Sequence, residues 1–317
     1  MIPAQHIAEL YRRIASNIEY VVHGKPGVLR LVVTSLFAEG HLLIEDLPGL
    51  GKTSIARSLA RCVGGLAQRV QFTPDVLPSD ITGVMVFNQQ SGTFEFHHGP
   101  VFANVLLADE VNRGTPKVQS ALLEAMSERS VTVDKQTHLL PRPFMVVATQ
   151  NPMELDGTYR LPEAQLDRFM MRIEIGYPDH DAEVRAIQGD ARGVSPDELP
   201  AVVEPQELRQ IIQSVSALHA DPEICSYAVR LAAATRTHRD VRYGASPRGS
   251  IALVRAARAW AATAGRDFVN VDDLKELAVP VLAHRVVLTP QAELAGQTSA
   301  GVVREALQTV GVPVVRA

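Results

Sequence analysis

The sequence of 317 residues contains few of the residues that mark several protein classes. It has two cysteines, Cys62 and Cys225, with no CxxC or Cys/His spacing, which excludes a disulfide framework and a structural zinc site. No segment approaches the ~18 consecutive apolar residues of a membrane span. Residues 1–22 alternate polar and apolar side chains without the apolar centre of a signal peptide. We therefore expect a cytoplasmic protein with no membrane span.

The sequence also has no excess of positive charge. It has 31 lysines and arginines against 35 acidic residues, a net charge of −4, which argues against a nucleic-acid binder or a protein of anionic membranes. Lysine itself is scarce, with only Lys25, Lys52, Lys117, Lys135 and Lys275. Lys52 stands out among them because it lies in a glycine-rich turn. The apolar fraction of 46% is typical of a globular chain, and the length suits about two domains.

The spacing of apolar residues predicts an α/β fold in the first part of the chain. Residues 5–37 show helical spacing broken near Gly24, which predicts two helices around a turn. Three short apolar runs predict buried strands, and helical patterns separate them. The strands are expected at residues 41–45, 101–108 and 144–148, and the helices at residues 53–62 and 118–129. This alternation is typical of a parallel sheet sandwiched by helices.

The rest of the pattern predicts two inserts and a second domain. Residues 83–97 and 130–140 are typical of β-hairpins that lie beside the sheet. Beyond Pro178 we expect no further strands and five helices, at residues 181–190, 205–215, 221–237, 246–264 and 271–284. Between the first two of these helices lie Gly193, Pro196 and Pro200, so a domain boundary is expected within residues 193–204. This divides the chain into a first domain, residues 1–195, and a small all-α domain, residues 196–317.

The segment after the first predicted strand has most of a phosphate-binding motif. Asp46-Leu-Pro-Gly-Leu-Gly-Lys-Thr53 matches G-x-x-x-x-G-K-[ST], except that Asp46 replaces the first glycine. Glycines allow backbone N–H groups to curl around phosphate oxygens, and the following helix directs its positive end at the anion. We expect Lys52 to contact the phosphates and Thr53 to bind Mg²⁺. The nucleotide-binding residues are predicted to be Pro48, Gly49, Leu50, Gly51, Lys52, Thr53 and Ser54. An ordinary Pro-Gly turn before a helix is the alternative.

Polar residues also end the two later predicted strands. Asp109 and Glu110 follow an apolar run, and successive residues at a strand end diverge, so Asp109 can hold Mg²⁺ while Glu110 polarises an attacking water. Asn151 ends the next strand. Since the carboxyl ends of parallel strands share one edge, Asn151 is expected beside Glu110 and the γ-phosphate. Solvated acids and an Asn-Pro turn are the alternatives.

Five segments together resemble the MoxR family of AAA+ ATPases, over roughly residues 5–290. They are DLPGLGKT (46–53), DEVNRGTPKVQSALLEAMSE (109–128), ATQNP (148–152), LPEAQLDRF (161–169) and SPRGS (246–250). The resemblance implies a P-loop AAA+ core with β-hairpin inserts and a helical lid. It also implies that the loop at 46–53 is Walker A, that Asp109 and Glu110 are Walker B, and that Asn151 is the polar sensor.

The resemblance assigns further residues to the site. Arg168 matches an arginine finger that acts on ATP held by a neighbouring subunit, and Arg248 matches the second sensor on the lid. Val22 and His23 lie where the family's adenine-contacting turn is expected. A finger acting in trans implies a homo-oligomer, most simply a hexameric ring. A salt bridge from Arg168 to Glu163 or Asp167 is the alternative, and a similar structural pairing is the alternative for Arg248.

The function implied by the resemblance is ATP hydrolysis with Mg²⁺ that drives remodelling, maturation or activation of partner proteins. Family members often act with von Willebrand factor A-like partners. An ATP-driven nucleic-acid motor is the alternative, but the first hairpin has no lysine or arginine, and residues 129–142 have only Arg129, Lys135 and Arg142. A binding switch that scarcely hydrolyses ATP would need Glu110 or Arg168 to be misplaced.

Overall fold

The computed structural model describes residues 1–152, 157–159, 161–191 and 195–313. Its central feature is a five-stranded sheet in the order β2-β5-β8-β1-β9, in which every neighbouring pair is parallel. The strands are β1 (Leu42–Glu45), β2 (Ala67–Gln71), β3 (Gly83–Asn88), β4 (Thr93–His98), β5 (Val105–Asp109), β6 (Ser130–Val133), β7 (Gln136–Leu139), β8 (Met145–Gln150), β9 (Met171–Ile173), β10 (Val241–Tyr243) and β11 (Val287–Leu288). The two pairs β3–β4 and β6–β7 are antiparallel hairpins beside this sheet, as the sequence predicts.

Helices cover both faces of the sheet. Successive strand residues alternate between two hydrophobic clusters: Leu42 and Ile44 pack with the helices on one face, and Leu43 packs on the other. The helices are α1 (Ala4–Glu19), α2 (Pro26–Phe37), α3 (Lys52–Cys62), α4 (Pro78–Thr82), α5 (Pro116–Glu128), α6 (Glu163–Leu166), α7 (His180–Ala191), α8 (Pro205–Ser216), α9 (Pro222–Arg236), α10 (Pro247–Thr263), α11 (Val271–Leu282), α12 (Pro290–Leu294) and α13 (Ser299–Thr309). The expected α/β core and helical lid are both confirmed.

Several sequence predictions need correction. The second predicted strand begins at Val105 and not at residue 101, because Asn104 instead fixes the preceding turn by accepting from Leu66 N and donating to the carbonyl of Pro143. The edge strands β2 and β9 were missed, because the first is largely exposed and the second has three residues. Strands do occur beyond Pro178, since β10 and β11 form a short antiparallel pair. Such short strands carry no readable periodicity.

The lid is tied to the core through one buried arginine. Arg285 Nε donates to Asp167 Oδ1 at 2.7 Å, and Arg285 Nη2 donates to the carbonyl of Phe169 at 2.7 Å. Ser246 Oγ, at the start of α10, donates to the same Asp167 carboxylate at 3.1 Å. Two positions of the lid, Ser246 and Arg285, therefore hold the segment that precedes β9.

The linker between core and lid packs on the core. Val203 forms a parallel bridge with Val63, at the end of α3, and Gly64 N donates to the carbonyl of Val203 at 2.8 Å. Gly193, on which part of the predicted boundary rests, lies outside the described residues. The division into residues 1–195 and 196–317 stays a proposal. Within the described ranges, no helix is long and apolar enough to cross a membrane.

Candidate functional site

The loop between β1 and α3 turns its backbone toward open space. Gly49 and Gly51 have φ of 85° and 83°, a conformation that disfavours a Cβ, and nothing lies within 4 Å of where a Cβ would be built. Lys52 Nζ donates to the carbonyl of Asp46, and also to those of Leu47 at 3.2 Å and Gln150 at 3.3 Å. Burial lowers the pKa of Lys52, against the opposing effect of nearby carboxylates. The loop thus combines backbone N–H groups, a helix start and a cation around an open space, which suits a phosphate.

Asp46, which replaces the first glycine of the motif, makes contacts that no glycine could make. Its Oδ2 accepts from the backbone N–H groups of Ile175 and Gly176, each at 2.7 Å, and its Oδ1 accepts from Leu47 N at 2.8 Å. Burial by itself raises the pKa of this carboxyl, but the three backbone donors and Lys52 outweigh burial and lower it. Asp46 therefore stays ionised and joins the phosphate loop to the segment after β9.

The carboxylate of Asp109, at the end of β5, is buried and held from three sides. Thr149 Oγ1 donates to its Oδ1 at 2.6 Å, and Thr53 Oγ1 lies 3.2 and 3.3 Å from its two oxygens. Arg69 donates to Oδ2 from Nε at 3.1 Å and from Nη2 at 2.8 Å. Hydroxyl and carboxylate oxygens placed this close are the ligand type that Mg²⁺ prefers.

Glu110 points away from Asp109 because its backbone has φ of 53°. Its Oε2 accepts from Gln71 Nε2 at 2.7 Å and from Arg113 Nη1 at 3.0 Å. Its backbone N donates to Thr149 Oγ1 at 3.0 Å. The divergence of the two acids expected from the sequence is thus present, and it separates the buried carboxylate of Asp109 from the partly exposed carboxylate of Glu110.

Two adjoining cavities bring most of the predicted site residues together. The first, of about 370 Å³, is lined by the phosphate loop, both acids and the strand-end polar residues: Pro48, Gly49, Gly51, Lys52, Thr53, Ser54, Arg69, Gln71, Asp109, Glu110, Thr149 and Asn151. The second, of about 230 Å³, shares Gly49, Gly51 and Ser54 with it and adds an apolar wall that includes Leu50, Val22, His23, Ile175 and Gly176. Together they offer a polar region for phosphates beside a less polar region for a base.

Arg168 and Arg248 lie elsewhere. Both line a third cavity, of about 490 Å³, and neither lines the two cavities beside the phosphate loop. Arg168 Nε donates to Ser127 Oγ at 2.7 Å, and its neighbour Asp167 is engaged by Arg285. Arg168 precedes β9, at the amino edge of the sheet, whereas the phosphate loop follows β1 at the carboxyl edge. A strand of four to six residues separates the edges by roughly 13–20 Å.

Three residues of the site are not predicted by the sequence: Arg69, Gln71 and Thr149. Arg69 and Gln71 lie on the exposed edge strand β2 and reach Asp109 and Glu110 only because β2 pairs with β5 in the register Gln71 to Asp109. Two residues apart on a strand, their side chains share one face. Thr149 could have been predicted, since it carries a hydroxyl group on a buried strand, two residues before Asn151.

A parallel sheet with a phosphate loop, an acidic pair on a neighbouring strand and a helical lid defines the AAA+ ATPase fold. The model of the ATPase family associated with various cellular activities (AAA) matches residues 41–171, and a model of the AAA lid domain matches residues 233–306. A crystal structure from Cytophaga hutchinsonii, of a protein described as a candidate ATPase, superposes with a TM-score of 0.90 at 37% identity and covers 98% of this chain and 97% of that one.

Relatives that match over most of their length identify the family within the AAA+ ATPases. The chain is 45% identical to the uncharacterised protein YeaC of Bacillus subtilis, over 97% of this chain and 96% of that protein. It is 40% identical to the chaperone MoxR1 of Mycobacterium tuberculosis, over 96% of this chain and 83% of that protein. The chain belongs to the MoxR family of AAA+ ATPases.

Proposed function

We propose that this chain hydrolyses ATP with Mg²⁺ and uses the energy to remodel, mature or activate partner proteins. The observation that carries the proposal is the meeting of Lys52, Thr53 and Asp109 with Glu110 and Asn151 around one cavity of about 370 Å³. Family membership and the chaperone relative support the same activity. A cytoplasmic location stays a prediction of the sequence.

The residues of the cavity fit ATP and Mg²⁺. Thr53 and Asp109 would hold the metal, whose charge would offset that of the β- and γ-phosphates. The backbone of residues 48–54 and Lys52 would bind the phosphates, and Val22, His23 and Leu50 would flank the base. Glu110 would accept a proton from the attacking water, while Asn151 orients that water or the γ-phosphate.

The positions of the two arginines favour an active site shared between copies. Arg168 and Arg248 line a cavity at the edge of the sheet opposite the phosphate loop and line neither cavity beside that loop, which favours a role toward ATP bound to another copy. A second copy could receive that ATP in this cavity. Repeating the same contact head to tail closes a ring, and we propose a hexamer.

The surface of the first hairpin favours a protein client over nucleic acid. The β3–β4 hairpin has no lysine or arginine and exposes Val86, Phe87 and Phe94, with the last two rings in contact. Such a surface cannot neutralise phosphates but can bind apolar side chains. We propose that the client is a protein and that a von Willebrand factor A-like partner delivers or selects it. Strong stimulation of ATPase activity by single-stranded DNA or RNA would instead support the motor alternative.

Two variants test the proposed chemistry. Lys52→Ala should abolish nucleotide binding or turnover, because it removes the cation that contacts the phosphates. Glu110→Gln should bind ATP normally and lower kcat by two or more orders of magnitude, because the base is lost and the binding groups remain. Fluorescent-nucleotide titration and phosphate release measure the two properties separately. A Glu110→Gln protein that hydrolyses ATP at the wild-type rate would remove Glu110 from the mechanism.

A further inference from the structure

The cavity that contains Arg168 and Arg248 has more positive charge than its own acids can balance. Six of its lining residues are arginines: Arg129, Arg142, Arg168, Arg248, Arg255 and Arg285. Two of these are engaged by acids of the same chain, since Arg129 pairs with Glu39 at 2.8 Å and Arg285 pairs with Asp167 at 2.7 Å. The remaining four are Arg142, Arg168, Arg248 and Arg255.

No carboxylate of the described ranges lies within ion-pair distance of these four arginines. Arg168 donates to the hydroxyl of Ser127, and Arg255 Nη2 donates to the carbonyl of Ala38 at 2.7 Å, so both are anchored by neutral acceptors. Like charges that converge in a cavity repel each other, and partial desolvation increases that cost. An anion placed among them would relieve it.

The four arginines come from three segments of the chain, the loops before β8 and β9 and the helix α10, which meet at the amino edge of the sheet. Arg142 lies three residues before β8, and Arg168 lies three residues before β9. Arg248 and Arg255 are seven residues apart on α10, two helical turns, and therefore project from one face of that helix. The bonds of Asp167 to Arg285 and Ser246 hold this face of α10 against the core. The helix that carries Arg248 and Arg255 is thus held in place beside Arg168.

We propose that Arg142 and Arg255 act together with Arg168 and Arg248 as a four-arginine receptor for the triphosphate of ATP bound to the neighbouring copy of this chain. The inference rests on the proposed function, which supplies that ATP. A guanidinium group donates two parallel hydrogen bonds to phosphate oxygens, and four groups around one cavity can contact several phosphate oxygens at once. Arg142 is exposed; its backbone carbonyl accepts from Arg209, and its side chain has no hydrogen bond or ion pair with the described residues, so its guanidinium group is available to an anion.

Mixing experiments test this assignment with purified full-length chains. Arg142→Ala and Lys52→Ala proteins are each expected to be nearly inactive alone, with Arg142→Ala at least tenfold below wild type. In a mixture, an Arg142→Ala subunit supplies an intact phosphate loop and a Lys52→Ala subunit supplies an intact Arg142, so activity should rise well above the sum of the two. The same mixture with Arg168→Ala serves as the benchmark for action in trans.

Further variants separate charge from geometry and from folding. Arg142→Lys keeps the charge without the planar fork and should recover only part of the rate. For Arg255, which also bonds Ala38, Arg255→Lys is compared with Arg255→Ala so that a packing defect is recognised. Arg239→Ala removes a 91% exposed lid arginine outside the cavity and should leave the rate unchanged. Unfolding temperatures within the range of wild type show that the variants are folded.

The results that would overturn the proposal are distinct from those that would support it. Wild-type rates for both Arg142→Ala and Arg255→Ala under assembling conditions overturn the proposal, as does a loss that mixing fails to rescue while the Arg168→Ala mixture is rescued. Own-site binding of a fluorescent ATP analogue, measured with dilute single subunits, should be unchanged in Arg142→Ala. If the wild-type protein neither binds nor hydrolyses ATP, the proposed function fails, and that result is distinct from a failure confined to the two arginines.

Discussion

At the scale of single residues, the most informative position is Asp46. Its carboxylate holds Ile175 and Gly176, which line the cavity beside the phosphate loop, so the side chain joins the wall proposed for the base to the loop proposed for the phosphates. Asp46→Gly would restore the common glycine-first motif. If Asp46 made no contribution to nucleotide binding, this change would leave ATP affinity unchanged or raise it.

We predict the opposite result for Asp46→Gly. Two partly buried backbone N–H groups would lose their acceptor, at up to about 1–3 kcal/mol each, and the wall proposed for the base would be released from the loop. ATP affinity should therefore fall by about tenfold or more, as measured by isothermal titration or nucleotide fluorescence. Asp46→Asn, which keeps one acceptor oxygen, should lose less. Binding of Asp46→Gly at wild-type strength would show that the clamp has no role in nucleotide binding.

At the scale of elements, His41 joins three of them at the start of β1. Its Nδ1 accepts from Val146 N in β8 at 3.0 Å, and its Nε2 lies 3.2 Å from the carbonyl of Met126 in α5. Burial is the main cause that lowers the pKa of His41 to about 4. Burial likewise lowers the pKa of His284, which bonds the carbonyl of Phe169. Both shifts favour the neutral imidazole in the folded chain.

The neutral state of His41 predicts loss of stability in acid. Between its folded pKa of about 4 and the ordinary value of 6.5, the unfolded chain binds the proton and the folded chain does not. The free energy of unfolding should therefore be intact above pH 6.5 and fall toward pH 4, by on the order of 3 kcal/mol from this group. Urea unfolding at several pH values measures the slope. His41→Gln should show a shallower slope, and an equal slope in both proteins would contradict the prediction.

At the scale of the whole molecule, the phosphate loop and the cavity arginines lie at opposite edges of one sheet. Under the proposed function, one copy would hold two half-sites, and turnover would need two copies in contact. We predict that the ATPase rate per subunit rises with protein concentration to a plateau, in parallel with oligomer size from sedimentation velocity. Nucleotide binding to the dilute subunit should persist. A constant rate per subunit where sedimentation finds only monomers would argue against a shared site.

Much of the fold could be predicted from the local pattern of apolar and polar residues. Strands such as Met145–Gln150 are apolar and flanked by helices, so their existence and parallel arrangement followed from periodicity. Edge strands gave no such signal: β2 alternates little, and β10 and β11 have three and two residues. Their formation depends on the backbone hydrogen bonds that a neighbouring strand offers, which a local pattern does not contain.

The sequence alone predicted most of the residues proposed to carry the chemistry, because a phosphate loop, a strand-end acid pair and a strand-end asparagine each need particular residue types at short spacing. Which of these residues lie together depends on the tertiary structure. It brought Arg69, Gln71 and Thr149 to the acids through strand register, and it gave Asp46 partners 129 and 130 residues away. It also placed Arg168 and Arg248 at the far edge of the sheet. The physical reason is that contacts between distant segments depend on strand order and on lid packing, and neither is recorded in the spacing of residues along the chain.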